Sequence, residues 1–254
     1  MNRRLVTTSW DDGDPRDLRI ADLLQECGIS GTFYVPITGY QGRPTNRPED
    51  LRNLAERGFE IGGHTYTHRS LTALPGCEFT RELVDSRKLL EDWIGRRVSM
   101  FCYPNGHYNP QTIQAVQASG YFGARTTRML RTDPGVNRFE IPTTVQAYPH
   151  PPMAYFKNSV KGHNVTSLLK YSLEITYSTD WVQFSKTMFE HVLREGGVWH
   201  LYGHSWEIEE LGLWNALKDV LTYVARRDGV QYVTNYELAS MYFSKADSSF
   251  ARTA

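Results

Sequence analysis

The sequence predicts an α/β fold in which about seven parallel strands alternate with helices, and three observations predict it. Amphipathic segments stop at a glycine again and again, at Gly28, Gly58, Gly95, Gly120, Gly196 and Gly229. A short apolar or aromatic run follows each stop, the order in which a helix, its C-terminal cap and the next strand occur along a chain. The length of 254 residues, with 40% hydrophobic content, is ordinary for one α/β barrel domain with a well-buried core.

The strands are expected at Leu5–Ser9, Thr32–Val35, Phe59–Ile61, Ser99–Tyr103, Tyr121–Phe122, Val198–Leu201 and Gln231–Val233. Between them the spacing predicts helices over Pro15–Cys27, Pro48–Arg57, Glu78–Ile94, Pro110–Ser119, Trp181–Glu195 and Leu211–Arg227. Several of these open on Pro or on an acidic or hydroxyl cap. From Met129 to Thr179 the rhythm breaks, and Tyr148-Pro149-His150-Pro151-Pro152 cannot lie inside a helix. That stretch, about 129–179, reads as an irregular excursion with one helix near Ser167–Leu173, serving as a substrate lid or as plain surface. The whole of 1–254 reads as a single domain with no internal repeat.

Composition removes several function classes. Lys plus Arg and Asp plus Glu balance at 28 each, so no net field favours nucleic acid or an anionic membrane. The three cysteines, Cys27, Cys77 and Cys102, are odd in number and widely spaced, so a disulfide framework is not expected and the chain reads as reduced and intracellular. Met1-Asn2-Arg3-Arg4 passes straight into Leu5-Val6 and the acidic pair, leaving no room for the apolar core of a signal peptide. No run is long and apolar enough to cross a bilayer, so the expected location is cytoplasmic. On that reading the glycosylation pattern Asn164-Val165-Thr166 is a chance match.

The chemistry gathers behind the strands. Trp10-Asp11-Asp12-Gly13 follows the first and His64-Thr65-Tyr66-Thr67-His68 the third. Together they look like two halves of one metal site, because carboxylate oxygen and imidazole nitrogen suit zinc and similar divalent ions. Three protein ligands leave a position for water, which points to hydrolysis. Pro104–His107 follows the fourth strand and His204 the strand at Val198–Tyr202. In parallel α/β folds such groups converge on the face made by the carboxyl ends of the strands. Asp before Pro is also how a helix starts, and Asp14 is read that way. The remote histidine pair takes Asp11 and Asp12 out of that reading.

Thr8-Ser9-Trp10-Asp11-Asp12-Gly13, His64-Thr65-Tyr66-Thr67-His68, Phe101-Cys102-Tyr103-Pro104-Asn105-Gly106 and Leu201-Tyr202-Gly203-His204 resemble the ordered motifs of the polysaccharide deacetylases, carbohydrate esterase family 4, over about residues 5–240. The resemblance implies a distorted (β/α) barrel of about seven parallel strands and a divalent metal, most often Zn2+, with Co2+, Ni2+ and Mn2+ as others. By position it makes Asp11 the general base, Asp12, His64 and His68 the metal ligands, His204 the general acid and the backbone N–H at Asn105 a donor to the oxyanion. Adjacent residues leaving a strand point in different directions, so one carboxylate can hold an ion while its neighbour accepts a proton. The two histidines, four apart, meet at one point if their segment is helical or turns tightly.

Several residues keep a plainer reading beside that one. His204 is also what a loop histidine bonded to Glu207 looks like, and His200, four positions earlier, is a rival acid that reads as structural. Asp180-Trp181 falls where the family has a pair that orients the acid, although Ser178-Thr179-Asp180 before an amphipathic run is also an N-cap. Trp206 is a candidate to stack on a sugar face. Cys102 as a fourth ligand would fill the position that water needs.

The chain departs from the family pattern at three places. Trp10 stands for a usual phenylalanine, and Gly203 for an apolar residue. Cys102 stands for an arginine that pairs with the base, so either Asp11 is oriented differently or another basic group such as Arg125 substitutes. The expected function is a metal-dependent hydrolase that removes an N-acetyl group from an amino sugar or a carrier-linked glycan intermediate. The alternatives are a C–N hydrolase of a cyclic amide, allantoinase-like or imidase-like, and a catalytically silent sugar-binding barrel.

Overall fold

The computed structural model describes residues 3–161 and 180–244. Its strands are β1 (Arg4–Asp11), β2 (Gly31–Val35), β3 (Glu60–Gly63), β4 (Met100–Cys102), β5 (Gly123–Arg125), β6 (Val145–Gln146), β7 (Gly197–Gly203) and β8 (Gln231–Tyr232). Every pairing among them is parallel. Seven follow one another in the order β5-β4-β3-β2-β1-β7-β6, and β8 lies beside the first half of β1. The sheet curls on itself: Ile141 bridges Arg125 of β5, and four residues later Val145 pairs with Leu201 of β7. The fold is the distorted (β/α) barrel that the motifs implied.

The α-helices are α1 (Asp17–Cys27), α2 (Pro48–Glu56), α3 (Ser86–Ile94), α4 (Pro110–Ala118), α5 (Pro152–Lys161), α6 (Trp181–Glu195), α7 (Ser205–Glu210), α8 (Trp214–Val224) and α9 (Asn235–Phe243). Gly28 and Gly95 end α1 and α3 with φ of 68° and 66°, left-handed values that glycine takes without steric cost. At the start of α4, Asn109 Oδ1 accepts from Thr112 N at 2.9 Å, and Thr112 Oγ1 accepts from Asn109 N at 2.9 Å. That reciprocal pair satisfies two donors the helix cannot use.

Period-two alternation sorts β1 between two cores. Val6 and Trp10 pack outward against the helices, with Ile20, Leu24, Leu51 and Leu217 among their shell. Leu5 joins an inner cluster with Tyr34, Met100, Cys102, Ile141 and Val198. The same inward face carries Thr7, Ser9 and Asp11, each met by a polar partner inside the barrel. Asn235 Nδ2 donates to Thr7 Oγ1 at 2.8 Å, and Tyr34 Oη donates to Asn235 Oδ1 at 2.8 Å. His200 Nδ1 donates to the Pro142 carbonyl at 3.0 Å, which leaves Nε2 to accept from Ser9 Oγ at 2.9 Å. Burial, then the nearby Arg125 charge, push His200 down to about 3, so it is a neutral bracing group and not an acid.

Glu60, at the amino end of β3, ties the bottom of the barrel to α9. Its Oε2 accepts from Thr32 Oγ1 at 2.7 Å and from Tyr236 N at 3.0 Å, while Oε1 is buried without a hydrogen-bond partner. Burial raises its pKa to about 7 against the opposing pull of those donors. The folded protein therefore holds a proton here that the unfolded chain releases near the usual glutamate value, and stability falls as pH rises through that interval. The full shift sets an upper bound of about 3 kcal/mol. Thermal unfolding between pH 5 and 8 should show Glu60→Gln gaining on the wild type as pH rises; a difference that does not change with pH would remove this account.

The structure moves some expected elements. The fifth strand is Gly123–Arg125 and not Tyr121–Phe122, because Tyr121 packs against Phe101 while a buried arginine continues the strand. The helix expected over Glu78–Ile94 is a π-helical turn at Thr80–Asp85 running into α3. The one expected over Leu211–Arg227 is shorter, and Gly212 at φ 65° separates it from α7. The excursion at 129–179 contains β6 and α5, and α5 begins at Pro152, where a missing N–H costs nothing. The helix expected near Ser167–Leu173 and the Asn164-Val165-Thr166 pattern lie outside the described residues.

Candidate metal centre

The groups singled out from the motifs meet at the carboxyl ends of β1, β3, β4 and β7, around a cavity of about 270 Å³. Asp11 and Asp12 separate there for a backbone reason. Asp11 ends β1 facing into the barrel, and the chain then turns through two left-handed residues, Asp12 at φ 75° and Gly13 at φ 61°. A Cβ on Gly13 would lie 2.9 Å from Val35 Cγ1, so glycine is required both by conformation and by space. Of the seven described non-glycine residues with left-handed backbone, Asp12, Thr65, His68 and Asn105 are at this site. Conformations of that kind persist where the surrounding structure enforces them, and they concentrate at functional centres.

The His64–His68 segment is not helical. Left-handed residues at Thr65 (φ 63°) and His68 (φ 57°) fold it so that both imidazoles face Asp12. Asp12 Oδ1 lies 3.0 Å from His68 Nε2 and 3.5 Å from His64 Nε2, and all three residues are buried. One ligand atom from each falls within 4.8 Å of the others. His64 Nδ1 donates to the Cys102 carbonyl at 2.8 Å, which aims Nε2 at the cluster. The indole N–H of Trp206 donates to Asp12 Oδ2 at 2.9 Å. That leaves Asp12 Oδ1 buried with no properly directed hydrogen bond. A buried, orphaned carboxylate oxygen between two imidazole nitrogens fits a divalent cation, for which this donor set is suited. Burial opposes the charge on Asp12, but His64, His68 and His204 outweigh it and hold the carboxyl far below its usual range.

Arg125 pairs with Asp11. Its Nη2 donates to Asp11 Oδ1 inside the barrel, and its guanidinium carbon sits 5.2 Å from the Tyr34 ring centroid and 4.9 Å from that of Tyr202. Arg125 is opposite Cys102 in the β4–β5 register, and the Cys102 thiol lies 3.7 Å from Asp11 Oδ2. Burial resists ionisation of Asp11, while Arg125, then His64 and His204, overcome it and lower the pKa.

His204 is bonded to Glu207 and also faces the two aspartates. Nδ1 lies 2.6 Å from Glu207 Oε2, and Nε2 reaches within 4.0 Å of carboxylate oxygens of both Asp11 and Asp12. Burial alone would favour neutral imidazole; Glu207, then Asp12 and Asp11, raise His204 to about 9, so it carries a proton at neutral pH. Gln146 Nε2 donates to the same Glu207 oxygen at 3.2 Å, and Gln146 Oε1 accepts from Tyr202 Oη at 2.7 Å. The orienting carboxylate is thus Glu207 and not Asp180, which is exposed and accepts from Val182 N at 2.9 Å as the cap of α6. Asn105 lines the cavity. Trp206 has Arg43 stacked on its ring at 4.0 Å, so that face is not open to a sugar. Tyr40, which the motifs did not single out, covers His68 with ring centroids 4.3 Å apart.

The family profile described as Polysaccharide deacetylase matches residues 1–124. Over that span the chain is similar to the polysaccharide deacetylases. The peptidoglycan-N-acetylglucosamine deacetylase of Bacillus cereus is 25% identical over 122 residues, 47% of this chain and 55% of that protein. The chain spans about half the length of the curated relatives it matches. Two solved structures share the fold across nearly the whole chain. A family 4 acetyl xylan esterase from Clostridium thermocellum, in complex with a cobalt ion, has a TM-score of 0.59 at 17% identity, covering 93% of this chain and 91% of that one. PuuE allantoinase has a TM-score of 0.68 at 16% identity, covering 95% and 91%.

Three departures from the deacetylase pattern now have structural reasons. Trp10 and Gly203 are opposite one another in the β1–β7 register, and a Cβ on Gly203 would lie 3.2 Å from Trp10 Cζ3. The glycine makes room for an indole larger than the family phenylalanine. Cys102 and Arg125 are likewise opposite, so the guanidinium that faces Asp11 comes from the neighbouring strand and the small thiol leaves space for it. The Trp10–Gly203 pair trades volume across one level of the barrel.

Proposed function

We propose that this protein is a member of the polysaccharide deacetylase family and a metal-dependent hydrolase that removes the N-acetyl group from an amino sugar unit. The observation that carries the reading is a charge pattern. An ionised carboxylate, Asp11, and a protonated imidazole, His204, flank the same Asp12–His64–His68 cluster. An acid and a base poised together at one candidate metal site are what amide hydrolysis requires.

Asp12, His64 and His68 would hold the ion. A bound divalent cation supplies a water of lowered pKa and polarisation of the acyl carbonyl. Asp11, kept ionised by Arg125, accepts the proton that the attacking water loses. The backbone N–H of Asn105 donates to the acyl oxygen as negative charge grows on it. His204, with Nδ1 fixed by Glu207, presents its Nε2 proton to the amide nitrogen. An amine leaves far more readily than its anion, so this proton is what allows the C–N bond to break. Acetate and a free amino sugar result. The relative from Bacillus cereus, named for deacetylation of peptidoglycan N-acetylglucosamine, supports an acetamido sugar as the substrate class.

The test is acetate release from N-acetylated amino sugars, their oligomers and their lipid-linked and nucleotide-linked forms. It is run with zinc, cobalt or manganese, and again with chelator. Acetate that appears with metal and stops with chelator is the expected result. No acetate from any member of the panel would end this reading, and ring opening of allantoin in its place would make the protein a cyclic-amide hydrolase.

A further inference from the structure

We infer that Glu82 is a positioning residue for the metal centre, fixing the His64–His68 loop and through it the affinity for the ion. This rests on the assignment of Asp12, His64 and His68 as ligands. Glu82 is 2% exposed. Its Oε2 accepts from the backbone N–H of Tyr66 at 2.9 Å and of Thr67 at 3.0 Å, and its Oε1 accepts from Thr67 Oγ1 at 2.8 Å. One carboxylate thus satisfies both amides at the centre of the loop, between the left-handed residues Thr65 and His68. From the other side, Thr38 N and Oγ1 donate to the Tyr66 carbonyl at 2.9 Å and 3.2 Å. The middle of the loop is gripped on both faces, and the two imidazoles at its ends inherit their spacing from that grip.

The local structure of the chain serves this placement. Glu82 lies in the π-helical turn Thr80–Asp85, where Ser86 N–H reaches back to the Arg81 carbonyl. The Glu82 carbonyl accepts from Ser86 Oγ at 2.7 Å instead, so the wider turn leaves no orphan there. A single π turn rotates the following side chains off the α-helical register, and such turns gather at functional sites. A buried carboxylate is tolerated only when donors satisfy it, and here all of the donors named belong to the loop between the ligands.

The full chain is loaded with Co2+, and its Kd is measured by competition with a chelator alongside the visible absorption of the bound cobalt. Glu82→Ala should weaken Co2+ binding about 10-fold to 100-fold and change the cobalt band. Glu82→Gln, whose amide oxygen can accept from both N–H groups and whose amide nitrogen can donate to Thr67, should stay within about 3-fold of the wild type. A Glu82→Ala protein with wild-type Kd and band, even one with a lowered melting temperature, overturns the inference. So does a Glu82→Gln protein as weak as Glu82→Ala, because charge and not grip would then be at work. Should Glu82→Ala fail to fold, Glu82→Asp takes its place: the shortened arm predicts the same weakening, and a wild-type Kd contradicts it. A wild-type chain that binds no cobalt would sink the metal-centre assignment itself, an outcome distinct from all of these.

Discussion

Asp12→Ala should lose metal and activity together. Asp12 is the one carboxylate among the three proposed ligands, and its Oδ1 lies between two imidazole nitrogens with no other partner. Truncation leaves two neutral histidines to hold a divalent ion, and affinity should fall by at least ~10³-fold. Alanine at φ 75° also carries a backbone cost that aspartate tolerates better, and the Trp206 N–H loses its acceptor. Asp12→Asn separates these effects, since asparagine accepts the left-handed turn and the indole bond while removing the charge. Metal content after gel filtration and acetate release should both drop to background in either variant. Full metal occupancy in Asp12→Ala would remove Asp12 from the ligand set.

Arg125→Cys should be nearly as damaging by a different route. Asp11 and Arg125 are buried together, and removing one partner leaves an uncompensated charge, which costs about 3–5 kcal/mol of stability. Without the guanidinium, burial is the largest influence left on Asp11 and acts to raise its pKa against His64 and His204, so the carboxylate is a less readily ionised base. The rate should fall by about 10²-fold to 10⁴-fold with metal still bound, and recover in part as pH rises through the new pKa. The register of β4 and β5 supplies the stringent arm of this test. Because Cys102 and Arg125 are opposite neighbours, Cys102→Arg combined with Arg125→Cys should return the guanidinium to Asp11 and restore melting temperature and rate. A double variant no better than Arg125→Cys would show that the two positions are not interchangeable.

The Asp12–His64–His68 cluster was legible because its residues are concentrated in short contiguous motifs. Asp11-Asp12-Gly13 and His64 to His68 carry their spacing in the sequence, and the glycine stops placed six of the strands within a few residues. What the sequence concealed is side-chain chemistry set by tertiary register. Arg125 could be named as a substitute for the family arginine, yet its strand was placed two residues early, because a buried arginine carries no apolar signal. β6 is two residues long and exists by pairing with β7, so no periodicity announces it. α9 went unread although Thr234 and Glu237 form a capping box at its start.

Glu207 was visible only as a plain partner for His204. Its value as the orienting carboxylate emerges from the turn into α7, where His204 and Glu207 fall three residues apart on one face. Asp180 caps α6, as the run Ser178-Thr179-Asp180 before an amphipathic segment led one to expect. The π turn that carries Glu82 has no sequence signature distinct from an ordinary helix, so the link between that helix and the histidine loop appears only in three dimensions.

The most direct test is anomalous diffraction from crystals soaked in zinc or cobalt, collected on both sides of the metal's absorption edge. One anomalous peak bonded to Asp12, His64 and His68, with Asp11 outside the coordination sphere, is the predicted result. A peak held by the neighbouring group of Asp11, His64 and Cys102, or no peak at this end of the barrel, would contradict it.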